Sequence, residues 1–387
     1  MKVLYGFYEL QTWTYHVSVP AKQPDIKSNG RNFTETLLTP QVLYDIFARL
    51  DLCSLSRCAQ VNRRWNSIAS DLHFYRDVDL KMYWNKINGK TLEKLKEKLQ
   101  KVRKLDLAWC NEYLMGGDAF NNSIASILET VKDTLTHLSL NSTRWLTKLT
   151  IQRIFNCPNL EELRLRNHDF RLINNFSLSC CGNRTTRLTT LDISMSFIED
   201  EHLIKILETI PNLEHLVMDN CEHLRNLERI LTTTGTHNLK LKSWSSPLTF
   251  CKKNYSIIYA KFGKLIHLEY LNLSFSEPRE PYITNCFESI AMNCQKLKRL
   301  ELMNWDKVTD EELLPIITQC KQLLHLNLTA TNISFVTLAV ACENLPDLQD
   351  ICITLCDDIN IEMIEHYTET YPKVNFYQEK LYPPKYR

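Results

Sequence analysis

The sequence predicts an α/β repeat solenoid, with a curved parallel sheet inside and helices outside, preceded by a small three-helix module. Three observations predict it. An apolar-x-x-apolar-x-apolar hexad recurs through most of the 387 residues. Between the hexads runs a second pattern, apolar at i, i+3, i+4 and i+7. Residues 37–80 carry short helical stripes that fit neither repeat.

Residues 1–36 read as a strand-like segment and a linker. Trp13, Tyr15, Val17 and Val19 alternate with Thr12, Thr14, His16 and Ser18, the pattern of a half-buried strand. One strand cannot stand alone, so it packs on something in this chain or is the remnant of a larger upstream β domain. Pro20, Pro24, Asn29 and Gly30 mark the linker. Glu9 interrupts the apolar start and no arginine occurs in the first 20 residues, which argues against a secretion signal and a mitochondrial transit peptide.

Residues 37–80 form the helical module. Val42, Leu43, Ile46, Phe47 and Leu50 make one stripe, with Thr39 as cap and Pro40 at the first helical position. Leu52, Leu55 and Cys58 make a second, and Val61, Trp65, Ile68 and Ala69 a third. Three helices this short bury little core, so apolar residues remain for a partner. Residues 81–101 read as a linking helix, with Leu92, Leu95 and Leu99 at helical spacing. Lysines dominate from Lys90 to Lys104, but no aromatic residues interleave for base stacking.

Residues 102–377 hold about ten repeats. The hexad stands at Val102-Leu105-Leu107, Leu135-Leu138-Leu140, Leu160-Leu163-Leu165, Leu188-Leu191-Ile193 and Leu213-Leu216-Met218. A degraded copy lies near Leu239 and Leu241, and clean copies return at Leu268, Leu297, Leu323 and Leu348. Nine intervals separate Val102 from Leu348, about 27 residues each. Leu313, Ile316, Ile317 and Cys320 give one helical stripe, and Leu203, Ile206, Leu207 and Ile210 another. Neither a three-residue strand nor its helix buries its apolar face alone; stacking buries both and leaves an extended concave surface. Cys157, Cys294 and Cys320 each stand three residues before the first hexad leucine, and Cys342 keeps the helix position. They read as small buried hydrophobes at a tight junction, not as metal or redox sites. Residues 378–387 form a C-terminal tail, read as a cap or as a segment along the concave face.

The balance of 46 basic against 45 acidic residues excludes a strongly basic nucleic-acid binder. No apolar run is long enough to span a membrane. Phosphate-cradling glycine loops, GxSxG and HExxH are absent from the sequence, so no catalytic residue, metal or cofactor is expected. Asn272-Leu273-Ser274 and Asn327-Leu328-Thr329 match the glycosylation triplet but fall in buried-looking strands and read as accidental.

The repeats resemble the cysteine-containing leucine-rich repeats, with Thr309-Asp310 opening a helix and Cys320, Leu323, Leu326 and Leu328 following. Residues 38–65 resemble the F-box: Leu38-Thr39-Pro40-Gln41-Val42-Leu43, Ile46-Phe47, Leu50, Leu55, Cys58 and Val61-Asn62-Arg63-Arg64-Trp65. The proline falls one place late, and Gln41 stands where glutamate is usual. The resemblance implies a substrate receptor of an SCF-type, cullin-RING ubiquitin ligase that does no covalent chemistry. A Skp-type adaptor would dock on Leu38, Pro40, Leu43, Ile46, Leu50, Leu55 and Trp65. A protein substrate, its identity unread, would lie on the concave face, at Arg164, Arg166, Asp219, Tyr270, Asn272, Arg299, Glu301, His325 and Asn327. A cytoplasmic setting is expected, with the nucleus or the mitochondrial surface left open. The alternative is a repeat scaffold or inhibitor with no ligase link. Trp109 and Trp305, directly after their strands, are expected to pack at the edge.

Overall fold

The computed structural model describes residues 38–110, 117–143, 146–172, 187–247, 255–275 and 287–378. The strand expected at 11–19 and the tail from 379 onward lie outside the described residues. Among the described residues, twelve parallel strands form one sheet in strict sequence order. They run from β1 (Asp77–Asp79) and β2 (Lys104–Asp106) through β3 (His137–Ser139), β4 (Glu162–Arg164), β5 (Thr190–Asp192), β6 (His215–Val217) and β7 (Ser243–Ser245). Then follow β8 (Tyr270–Asn272), β9 (Arg299–Glu301), β10 (His325–Asn327), β11 (Asp350–Cys352) and β12 (Asn375–Tyr377). The middle residue of each strand pairs with the middle residue of the next, as Leu300 does with Leu326 and Leu326 with Ile351. These middle residues point away from the concave face into the core, and Leu271, Leu300 and Ile351 are fully buried. Neighbouring strands lie about 4.8 Å apart while packed helices need about 8–10 Å, so helices on one side force the sheet to curve.

The solenoid is therefore as expected, with adjustments at three places. The sheet begins one strand before the first hexad. Tyr75, Val78 and Leu80, all buried, are themselves a hexad copy in which an aromatic ring opens the pattern. The segment read as a linking helix holds a 3-10 turn at Lys81–Lys86 and the helix Gly89–Leu95. The degraded copy is Leu241-Trp244-Ser246. Trp244 fills the leucine slot with no exposure, its indole N–H donates to Ser246 Oγ at 2.8 Å, and Leu239 points to solvent.

The module consists of α1 (Pro40–Phe47), α2 (Leu52–Cys58) and α3 (Arg63–Ala69). Each start is capped by a side chain that accepts a backbone N–H of the first turn: Thr39 from Val42, Asp51 from Ser54, Asn62 from Trp65. The module shares one continuous apolar core with the repeats. The repeat helices that matter below are α4 (Gly89–Leu95), α5 (Gly117–Val131), α6 (Lys148–Phe155), α7 (Asp200–Thr209), α8 (Leu227–His237), α9 (Tyr255–Ala260), α10 (Glu288–Asn293), α11 (Asp310–Gln319), α12 (Phe335–Asn344) and α13 (Ile361–Thr370). Leu203, Ile206 and Leu207 of α7 and Leu313, Ile316 and Ile317 of α11 are buried, as their spacing predicts.

The Thr-Asp start of α11 serves two repeats at once. Thr309 and Glu312 form a reciprocal capping box. Asp310 reaches into the next repeat and accepts Ser334 N, Ser334 Oγ, Thr337 N and Thr337 Oγ1. Burial alone would raise its pKa, but these donors outweigh burial and hold the carboxyl below its ordinary range.

A second ladder continues past the strands. Six residues after the starts of β2, β4, β5, β6, β9 and β11 stands a polar side chain that reaches back to the preceding repeat, whereas Thr143 and Thr331, at the same place after β3 and β10, donate within their own repeat. Cys110 donates to the Leu80 carbonyl, Ser196 to Leu165, Cys221 to Ile193, Trp305 to Leu273 and Cys356 to Leu328, and His168 Nε2 lies 2.6 Å from the Leu140 carbonyl oxygen. These donors satisfy carbonyls that the short strands leave open. The helix-end cysteines are buried thiols too. Burial pushes Cys157 and Cys294 up to about 12 and Cys320 up to about 11. The sulfur of Cys294 donates to Phe262 O at 3.4 Å. Among the described residues, no three metal-ligating side chains cluster.

Candidate protein-binding surfaces

The structure divides the seven F-box positions between core and surface. Leu43 and Leu55 are 1% exposed and hold the module together with Phe47, whose ring meets Trp65 edge-on at 5.3 Å. Neither leucine is open to a partner, which corrects their assignment as direct contacts: three helices this short consume their most central leucines. Leu38, Leu50 and Trp65 are half-buried, while Pro40 and Ile46 face outward. Arg64 ties Leu38 down by donating to its carbonyl at 2.6 Å. Sequence reasoning missed three outward residues beside them. Val42 is 42% exposed, Val61 59% and Met82 80%, next to 43% for Ile46. Val42 and Ile46, four apart, lie on one face of α1, so the structure splits the stripe read from spacing into a buried pair, Leu43 and Phe47, and this outward pair.

All nine concave-face residues stand at first or third strand positions or just past the strand, and all are at least partly exposed. They do not form one site. Arg164 pairs with Glu162, and Arg166 reaches Asp192 at 3.7 Å. Asp219 stands apart and accepts Ser245 Oγ at 2.7 Å; burial raises its pKa against that hydrogen bond. Arg299 pairs with Glu301 at 2.7 Å, and its guanidinium lies 5.8 Å from the Tyr270 ring centre. Asn272 and Asn327 accept the backbone N–H two residues on, from Ser274 and Thr329. This closes the strand ends and gives the glycosylation-like triplets a structural origin.

Two hollows on this face were not foreseen. One is lined by Asp77, Asp79, Lys104, Asp106, His137, Glu162 and Arg164. It begins in β1, before the first recognised repeat. The other joins Arg299, Glu301, His325 and Asn327 to Asp350, Cys352 and Tyr377. Here Asp350 accepts hydrogen bonds from Asn375 and Tyr377 and lies 2.6 Å from His325 Nδ1. The Asn375 hydrogen bond foremost, then those of His325 and Tyr377, lowers its pKa against a smaller burial effect.

A carboxylate with a depressed folded pKa stabilises above its unfolded value of about 3.9 and loses that contribution as pH falls through the folded value. The amides that join β12 to β11, Asn375 N and Ile353 N, are therefore expected to lose exchange protection below about pH 4. The strand pair β5–β6 should hold to lower pH. Hydrogen exchange corrected for intrinsic rates checks this, and equal loss in both pairs would refute it.

Residues 40–81 match the F-box-like family. F-box/LRR-repeat protein 4 of Bos taurus is 26% identical over 286 residues, covering 72% of this chain and 44% of that protein. The chain thus spans less than half the length of that relative. F-box/LRR-repeat protein 12 of Bos taurus is 24% identical over 326 residues, covering 82% of this chain and 78% of that protein. Among solved structures, a Listeria monocytogenes internalin aligns with a TM-score of 0.46 at 16% identity, over 69% of this chain and 70% of that one. A structure of the Rad7 and Elc1 complex in yeast aligns at 0.48 and 16% identity, over 90% and 94% of the two chains. Among the described residues no helix is long and apolar enough to cross a membrane.

Proposed function

We propose, from the premise that this is an F-box and leucine-rich-repeat protein, that it is a non-catalytic bridge in a ubiquitin ligase. The helical module docks on a Skp-type adaptor and through it joins a cullin-RING, SCF-type assembly. The concave sheet face holds a protein substrate for ubiquitination and degradation. The chain's part is to keep a substrate lysine at high effective concentration near the transferring enzyme.

One observation carries the reading. A module of some thirty residues turns Val42, Ile46 and Val61 to solvent although its core is already filled by Leu43, Phe47 and Leu55. Apolar side chains on one face of a short helix are what a helical partner needs. The working compartment in this reading is the cytoplasm. The described cysteines are all free thiols, so this packing rests on no disulfide between them.

The direct test mixes the purified chain with a purified Skp-type adaptor and measures binding. Stable capture is expected. A folded chain that never captures the adaptor would overturn the proposal in favour of a scaffold without a ligase link.

A further inference from the structure

Among the described residues, five after the starts of β2 to β6 and β8 to β11, the chain enters the left-handed region. Nine non-glycine residues do so, with φ between 54° and 67°. The backbone N–H there extends the ladder, as Met195 N donates to Asp219 O and Phe275 N to Met303 O. Asparagine suits this conformation and stands at 167, 220 and 304. A bulky side chain does not suit it, yet Trp109, Met195, Phe275 and Leu355 occupy it in β2, β5, β8 and β11, every third repeat. After β3, β4, β6, β9 and β10 the left-handed residue is Asn, Ser142 or Ala330.

These four side chains give little back to the fold. They are 41%, 45%, 39% and 55% exposed. Backbone strain without compensating burial points to an outside use, and an apolar row along one rim is a surface to cover.

The beat of the row says what shape covers it. Three strand spacings are about 14 Å. Four residues of extended chain span about 13–14 Å and return to the same face. A helix needs about ten residues for that distance and ten residues turn its face away; eleven restore the face but overshoot by about 2 Å at each step. The neighbouring concave face says what charge the occupant carries. Arg164, Arg166 and Arg299 are each paired with a carboxylate. Among the described residues no ion pair involves Asp77, Asp79, Asp106 or Asp219. The hollow that Asp77, Asp79 and Asp106 line also holds His137, Lys104 and Arg164, of which Arg164 is paired with Glu162.

We infer that this rim binds an extended, basic polypeptide segment that sets an apolar side chain every four residues on Trp109, Met195, Phe275 and Leu355 and turns lysine or arginine toward the concave face. This rests on the receptor reading only for calling the segment a substrate; the binding mode stands without it.

The test pans a phage-displayed library of random 16-residue peptides on the whole chain. Enriched peptides should carry Lys or Arg and apolar residues spaced by four. Their synthetic forms should bind at least tenfold more weakly to a variant with Asn at 109, 195, 275 and 355. That variant should melt no lower than the parent, because Asn fits the left-handed site, and should capture the Skp-type adaptor as the parent does. Loss of adaptor capture by the parent would sink the ligase reading and leave this one standing. No enrichment, acidic peptides, apolar spacing of eleven, unchanged binding by the variant, or a lower melting temperature would each overturn the inference.

Discussion

Val42→Asp combined with Ile46→Asp is expected to weaken Skp-type adaptor binding by more than a hundredfold. Each side chain is about two-fifths exposed on one face of α1. Covering each by a partner contributes roughly 1.5 kcal/mol or more, and a charge forced into that contact must also be desolvated. Two such losses reach about 3 kcal/mol, or a little over two decades in affinity. Both residues face solvent, so the fold should tolerate the change, with circular dichroism preserved and the melting temperature within a few degrees. Leu43→Asp would not make this distinction. Leu43 is 1% exposed, and a carboxylate there destroys the module whatever it binds. Titration calorimetry with purified adaptor measures the effect. Adaptor affinity within threefold of the parent would remove α1 from the interface.

The largest stability effect is expected at Trp305. Its side chain is fully buried between Tyr259, at 5.4 Å, and Phe287, at 5.8 Å. The indole N–H donates to the Leu273 carbonyl at 2.7 Å. Trp305→Ala leaves a cavity and an unpaired carbonyl, a loss of about 3–5 kcal/mol. Trp109→Ala should change stability by less than about 0.5 kcal/mol. The two tryptophans look alike in sequence, each directly following a hexad. They differ by one register position: Trp305 is the inward donor six residues after its strand start, and Trp109 is the outward left-handed residue at five. Edge packing therefore describes Trp305 and not Trp109. Chemical denaturation of both variants checks the contrast, and equal losses would refute the assignment.

That pair indicates where sequence reading succeeds and where it stops. The hexads located the middle residues of most strands, because a buried apolar residue recurring about every 27 residues is a local, one-dimensional signal. Trp244 and Tyr75 broke the pattern by substituting rings for leucines, so one copy was misplaced and the first strand overlooked. The module's seven apolar positions were legible as a set. Their division into core and surface depends on how three helices lean together, which spacing alone does not encode. The cysteines at helix ends were legible by period. Cys110, Cys221 and Cys356 were not, because their partners are carbonyls 28 to 30 residues upstream. The left-handed row was invisible for the same kind of reason: φ is not written in residue type when Trp and Phe stand where Asn would do.

The unbroken order of twelve strands turns the solenoid into a graduated scale. Each step along it advances a grip point by about 4.8 Å, so β1 and β12 are about 53 Å apart along the arc. No interruption in the shared core separates this scale from the helical module. Whatever is held at a given repeat is held at a set reach from whatever the module grasps. Removing one whole repeat would shorten that reach by one graduation for every contact beyond it, leaving the contacts before it untouched.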